Sequence, residues 1–354
     1  MTRALPVLIV AVATAAIGSV ARPQAEQAPP PGGGQSAPGR GQPPATTAPQ
    51  TQSRGQQGRG GPQPPPNLDN VEVHSLRVQG NVWMIVGAGG NITVQAADEG
   101  VLLVDTSLAQ VSDKVLAEIK KISAKPIFYI VNTHAHPDHV GGNENLSRAS
   151  TDFLAPPQVQ IVAHENVLNR MSAPTGQQAA FPVAAWPTDT YFTKHKEMFF
   201  NNEPVILMHQ PAAHTDGDSI VFFRRSDVVA TGDVFQTTTF PFIDTERGGT
   251  MNGIIAALNN ILDITVPRDK QEGGTYVIPG HGRLCDEHDV LEYRDMLTII
   301  RDRALDAVRQ RMTLDQFKAT KPTLDYDTRW GSTGGLQTTD QFVEKVFNEM
   351  KSKK

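Results

Sequence analysis

Three imidazoles and a carboxylate fall within six residues, His134-Ala135-His136-Pro137-Asp138-His139, directly after the apolar β-type run 127–131. A single histidine in such a place is ordinarily a surface or helix-capping residue. Four chelating side chains at this density have few structural uses. The apolar run reads as a strand, and Pro137 keeps an ordinary helix from running through the block, so a loop can aim all four side chains at one point. Imidazole nitrogen and carboxylate oxygen are the usual ligands of zinc and similar divalent ions, and one ion needs only three or four of them. The density therefore points to two ions.

The downstream chain repeats one arrangement. The apolar run 205–208 leads to His214, runs 220–223 and 228–230 lead to Asp233, and run 276–278 leads to His281. Each candidate lies two to six residues beyond a strand. In layered α/β proteins the strand ends converge on one rim, so residues distant in sequence can meet there. Glycine stands beside each of them, at Gly217, Gly232, Gly280 and Gly282, where tight turns and close backbone approach are needed. His74, His164, His195, His209 and His288 lie outside this spacing and read as structural or surface residues. His209 is the nearest rival to His214, but Gln210 and Pro211 follow it without a ligand-like loop.

The six-residue block resembles the His-x-His-x-Asp-His signature of the metallo-β-lactamase-fold hydrolases, which include β-lactamases, glyoxalase II enzymes, lactonases and related esterases. The resemblance runs from about residue 72 to 290. It implies an α/β fold, a four-layer αββα sandwich with two mixed sheets face to face and C-terminal helices covering it. It implies that His134, His136 and His214 bind a first metal, that Asp138, His139 and His281 bind a second, and that Asp233 bridges the two. The implied cofactors are two zinc ions, with iron or manganese as alternatives. The implied activity is a dinuclear zinc hydrolase whose metal-bridging hydroxide cleaves the carbonyl bond of a β-lactam, lactone, ester or thioester, with Asp138 as the catalytic residue that orients the hydroxide and passes its proton.

Departures from the pattern narrow the branch. A bridging aspartate at Asp233 is similar to glyoxalase II and lactonase-type members. The Thr215-Asp216-Gly217-Asp218 segment, however, lacks the second histidine of their His-Thr-Pro-Gly-His pattern. No basic cluster for glutathione is visible, and the chain looks more like an exported, uncharacterised branch near the β-lactamases. The alternative of another class is a non-hydrolytic metal-binding or redox-linked protein on the same fold. The flavodiiron branch that works this way replaces a histidine of the block by glutamate and adds a flavin domain. Nuclease members carry a clamp domain and a basic surface.

Composition bounds the rest. A formal net charge of −5 and no basic run past residue 60 exclude a nucleic-acid footprint, so the expected partner is a small-molecule substrate, with the oligomeric state open. The single cysteine, Cys285, excludes an internal disulfide and has no base partner, so it reads as an inert thiol. Residues 1–21 read as a signal peptide, with Arg3, an apolar run and small residues at a cleavage site. The protein is thus expected to be periplasmic or secreted, without a stable membrane span after cleavage; an uncleaved N-terminal anchor is the alternative. Residues 22–67, rich in Pro, Gly and Gln, read as a disordered linker. Residues 68–310 are assigned to the catalytic domain and 311–354 to a C-terminal helical extension. Strands are expected at 71–78, 82–86, 92–95, 101–105 and 160–163. Helices are expected around Val111 to Ile122, at 252–264 and from Asp289 onward. The loop 171–187, with Phe181 and Trp186 and nearby Tyr191 and Phe192, has two readings: it lines a substrate mouth, or it packs on the sheet.

Overall fold

The computed structural model of the protein describes residues 68–151, 159–176 and 178–352; the export signal and linker expected over residues 1–67 lie outside them. Fifteen strands are found among the described residues: β1 His74–Gln79, β2 Val82–Val86, β3 Ile92–Ala97, β4 Gly100–Val104, β5 Ile127–Val131, β6 Gln160–His164, β7 Pro174–Thr175, β8 Gln178–Ala179, β9 Asp189–Tyr191, β10 His195–Phe200, β11 Glu203–His209, β12 Ser219–Phe223, β13 Val228–Ala230, β14 Tyr276–Ile278 and β15 Cys285–Asp286. They form one seven-stranded sheet of order β1-β2-β3-β4-β5-β6-β9, one six-stranded sheet of order β10-β11-β12-β13-β14-β15, and the small β7-β8 pair. Both large sheets are mixed. The first is antiparallel through β4 and parallel from β4 to β9, and the second is parallel only between β13 and β14.

Side-chain alternation explains the layering. In β4, Leu102 and Val104 face the second sheet while Val101 and Leu103 face the opposite way, and all four are buried. A strand wet on neither side must be apolar throughout, which is why its sequence does not alternate. Between the sheets, Met84, Leu102, Val131 and Val162 meet Val205, Leu207, Phe223 and Val228.

The helices are α1 Ser112–Ile122, α2 Pro137–Val140, α3 Asn143–Thr151, α4 Glu165–Ser172, α5 Met251–Ile264, α6 Glu287–Arg309, α7 Leu314–Ala319, α8 Asp327–Trp330 and α9 Thr339–Ser352. Val115 and Ile119 of α1 and Leu146 of α3 cover the outer face of the first sheet. Ile254, Leu258 and Ile261 of α5, Leu297 and Ile300 of α6, and Phe342 and Val346 of α9 cover that of the second. The result is the expected αββα order with C-terminal helices on its outer face. A capping box starts α6, Asp286 and Asp289 each accepting from the other's backbone N–H.

The structure refines the sequence reading at several places. Pro137 does keep a helix from running through the block, since His136 is extended, and it also starts the short helix α2, where its missing N–H costs nothing and Asp138 and His139 take helical conformation. Strand β10 has no clear sequence signal except the Asn201-Asn202 turn, whose φ angles of 55° and 58° suit a tight hairpin with β11. Of the two readings of the 171–187 loop, the packing of Phe181 and Trp186 with Val140, Val167 and Met171 supports the second.

Candidate metal centre

Asp105, the His134–His139 block, His214, Asp233 and His281 all follow the C-terminal ends of β4, β5, β11, β13 and β14. The loops draw these ends together. His134 Nε2 lies 3.1 Å from His136 Nδ1, which lies 2.9 Å from His214 Nε2; Asp233 Oδ2 stands 3.7 Å from His214 Nε2 and 4.0 Å from His134 Nε2. On the other side, His139 Nε2 is 3.4 Å from His281 Nε2 and 3.2 Å from Asp233 Oδ1. His281 Nε2 is 3.2 Å from Asp138 Oδ2 and 3.4 Å from Asp233 Oδ1. Thus all seven sequence candidates come together as two groups, and the two oxygens of Asp233 face one group each.

What sits behind the imidazoles decides their protonation. His136 Nε2 donates to Asp244 Oδ2 at 2.9 Å, His214 Nδ1 to the Phe242 carbonyl at 2.6 Å, and His139 Nδ1 to Asp105 Oδ2 at 2.8 Å. The Thr133 hydroxyl donates to Asp105 Oδ2 at 2.7 Å and so accepts from His134 Nδ1 at 3.0 Å. With the rear nitrogens committed as donors, the front nitrogens carry lone pairs aimed at one another across about 3 Å. Such an arrangement repels itself unless a cation sits between them. A tetrahedral zinc ion with ligands at about 2.0–2.1 Å would space them by about 3.3 Å. In addition, Asp233 Oδ1 is buried and makes no hydrogen bond. The donor set fits divalent cations.

Electrostatics agree with that fit. Burial, joined by the neighbouring imidazoles, keeps His134 well below the usual histidine range, and burial pushes His214 down to about 4, so both stay neutral. Burial opposes charge on Asp233 as well, but His139 and His281 outweigh it and hold the carboxyl well below the usual carboxylate range. On the other side burial is outweighed at both His139 and His281, the latter raised to about 9, because Asp105, Asp138 and Asp233 favour positive charge there, charge that a bound cation would supply in place of protons. Glycine makes room for this crowding: a Cβ on Gly280 would stand 2.0 Å from Asp233 Oδ1, and one on Gly90 2.4 Å from His139 Cε1.

Sequence reasoning missed the supports. Asp105, with a φ of 63°, is buried and ends the apolar run 101–104; its place at a strand end was the available signal. Asp244 is held by Arg247 Nη1 at 2.7 Å, and neither it nor Phe242 shows a local pattern that points to the centre. The remaining histidines take structural places. His209 donates to the Asp216 carbonyl at 2.9 Å and stacks on buried His164 with ring centroids 3.6 Å apart, while His74, His195 and His288 are exposed. Asp218, where a second histidine would stand in the glyoxalase pattern, accepts from the Thr215 N–H and hydroxyl at 2.7 Å each and braces the His214 loop. Cys285 is buried, its thiol pushed up to about 12 by burial and by Asp289.

His136, Asp138, Asp233 and His281 open onto a cleft of about 640 Å³. Gln236, Thr238 and Thr239 line it with polar groups, Leu108, Phe240 and Phe242 with apolar ones, and Arg247, paired with Asp244, with a guanidinium. Residues 332–337 of the C-terminal segment supply a further wall.

With this geometry in hand, comparison with known proteins places the chain. It is 28% identical over 262 residues to a linear primary-alkylsulfatase from Pseudomonas sp., an alignment covering 62% of this chain and 47% of that protein. It is 23% identical over 228 residues to a type 2 metallo-β-lactamase from Bacillus cereus, covering 61% and 79%. Among solved structures, a stereoselective inverting sec-alkylsulfatase from Pseudomonas sp. superposes with a TM-score of 0.58 at 16% identity, over 78% of this chain and 50% of that one. A metallo-β-lactamase from Pontibacter korlensis gives 0.50 at 16% identity, over 64% and 99%. The chain spans about half the length of the alkylsulfatases it matches. Residues 77–289 match the model of the metallo-β-lactamase superfamily, and the chain belongs to that superfamily.

Proposed function

We propose that the protein is a dinuclear zinc hydrolase that cleaves a carbonyl bond in a small-molecule substrate such as a β-lactam, lactone, ester or thioester. The carrying observation is Asp233, a half-buried carboxylate with one oxygen toward His134 and His214 and the other, itself buried and without a hydrogen bond, toward His139 and His281. His134, His136 and His214 would hold one cation and Asp138, His139 and His281 the other. Cations held there supply Lewis acidity, polarising the substrate and acidifying water.

The remaining work falls to the chain. Asp105, Thr133, Asp244 and the Phe242 carbonyl fix the imidazole tautomers. Burial would raise the Asp138 carboxyl, but the His281 hydrogen bond and the His139 charge outweigh it; Asp138 is thus a carboxylate at neutral pH, in the form that accepts a proton. Asp138 also borders the cleft, within reach of a bound substrate. On this reading residues 68–310 carry catalysis, residues 311–354 extend it, and the pattern in residues 1–21 directs export. No helix among the described residues is long and apolar enough to cross a membrane.

A second reading, hydrolysis of a sulfate ester by the same residues, is favoured by the similarity to the two alkylsulfatases. The test is turnover by the zinc-loaded full chain of a chromogenic cephalosporin, an acyl-homoserine lactone, a glutathione thioester and an alkyl sulfate. Hydrolysis of a carbonyl substrate, lowered about 10²–10⁴-fold in Asp138→Asn, supports the proposal. Turnover of the alkyl sulfate alone would move it to the second reading. Full metal loading with no turnover would favour the non-hydrolytic alternative.

A further inference from the structure

The superfamily match ends at residue 289, yet residues 332–337 wall the cleft that the candidate centre opens onto. The base of this loop is tied firmly. Thr339 N–H donates to the Ser332 carbonyl and Ser332 N–H to Thr339 Oγ1, each at 2.8 Å. Gln337 Nε2 donates to the Pro241 carbonyl at 2.7 Å, one residue before Phe242, whose own carbonyl holds His214. The loop is therefore in register with the centre. Its tip is different: a Cβ on Gly334 or Gly335 would meet nothing within 4 Å, and Leu336 is 84% exposed. Leu336 lines the cleft all the same, along with Leu108, Phe240 and Phe242.

A large apolar side chain left in water at the tip of a loop whose base is tied, and facing a cleft, gains contact only when something apolar enters beside it. We propose that Leu336 is a specificity-determining residue. It covers the apolar tail of a substrate whose scissile group sits at the centre, so that substrates with a chain of several methylenes are preferred over short ones. The inference rests on the hydrolase reading for the word substrate, but its geometry does not need turnover. Each methylene fully covered strengthens binding roughly fourfold, so partial cover of a tail of several carbons gives a preference of at least about tenfold.

The test uses the full chain and the carboxylates decanoate and butyrate as probes, with affinities from calorimetry. Wild type should bind decanoate at least about tenfold more tightly than butyrate. Leu336→Ser, a change at an exposed site that leaves the fold intact, should cut that ratio below about threefold, the loss falling mainly on decanoate. Equal affinities in wild type, or an unchanged ratio in the variant, would overturn the assignment. In parallel, Leu336→Ser should lower kcat/KM for p-nitrophenyl decanoate through KM about tenfold more than it lowers kcat/KM for p-nitrophenyl butyrate. Absence of turnover with the decanoate preference intact would count against the hydrolase reading while leaving the tail-binding role standing.

Discussion

Asp105 accepts from the Thr133 N–H at 2.8 Å, from the Thr133 hydroxyl and from His139 Nδ1, so one buried carboxylate orients both His139 and, through the hydroxyl, His134. An amide at this position would set an N–H₂ against one of these donors. Asp105→Asn should weaken divalent-metal affinity about 10–100-fold with the fold retained, as measured by competition with a chromogenic chelator. Unchanged affinity would remove Asp105 from the centre's supports. A second residue-scale consequence concerns acid. Burial, with a stacked imidazole from His209 beside it, pushes His164 from its ordinary 6.5 down to about 4. The unfolded chain therefore takes up a proton that the folded chain refuses, and stability falls as pH drops from about 6.5 through about 4. His164→Asn keeps a helix-capping side chain on α4 and should flatten that part of the profile, read from urea midpoints at pH 7 and pH 4.5. An identical pH slope in the variant would assign the loss to other groups.

The strands were legible where the chain runs continuously apolar, forced by burial on both faces in β4 and seen also in β5 and β11, and the candidate ligands were legible because each follows such a run. Their supports were not. Asp105 looks like any acidic residue at a strand end, and Asp244 reaches His136 only through a loop path that no local periodicity encodes. That Pro137 interrupts any helix through the block was legible; that its fixed φ also starts the one-turn helix carrying Asp138 and His139 was not. The loop after β14 shows how little slack these elements have. Gly280→Ala would bring a Cβ to 2.0 Å from Asp233 Oδ1 and 2.7 Å from the Gly232 backbone. We expect a loss of about 1–3 kcal/mol in denaturant unfolding together with weaker metal retention. A variant that keeps both wild-type stability and wild-type metal content would contradict the packing described for this rim.

At the scale of the whole molecule, two sheets packed face to face bring the ends of β4, β5, β11, β13 and β14 to one rim, and outer helices bury the sheets' other faces. The fold was legible from the order of the ligand-bearing strands together with the signature block. The cleft was less so: its far wall comes from residues 332–337, well beyond the block in sequence, and no composition or spacing there announces contact with the centre. The central claim is that one carboxylate, Asp233, joins two cation sites. Its most direct test is metal content by mass spectrometry on the full chain after zinc loading and desalting, for wild type and Asp233→Ala. The account predicts two equivalents per chain in wild type and one or fewer in the variant. One equivalent or none in wild type, or two retained in Asp233→Ala, would contradict it.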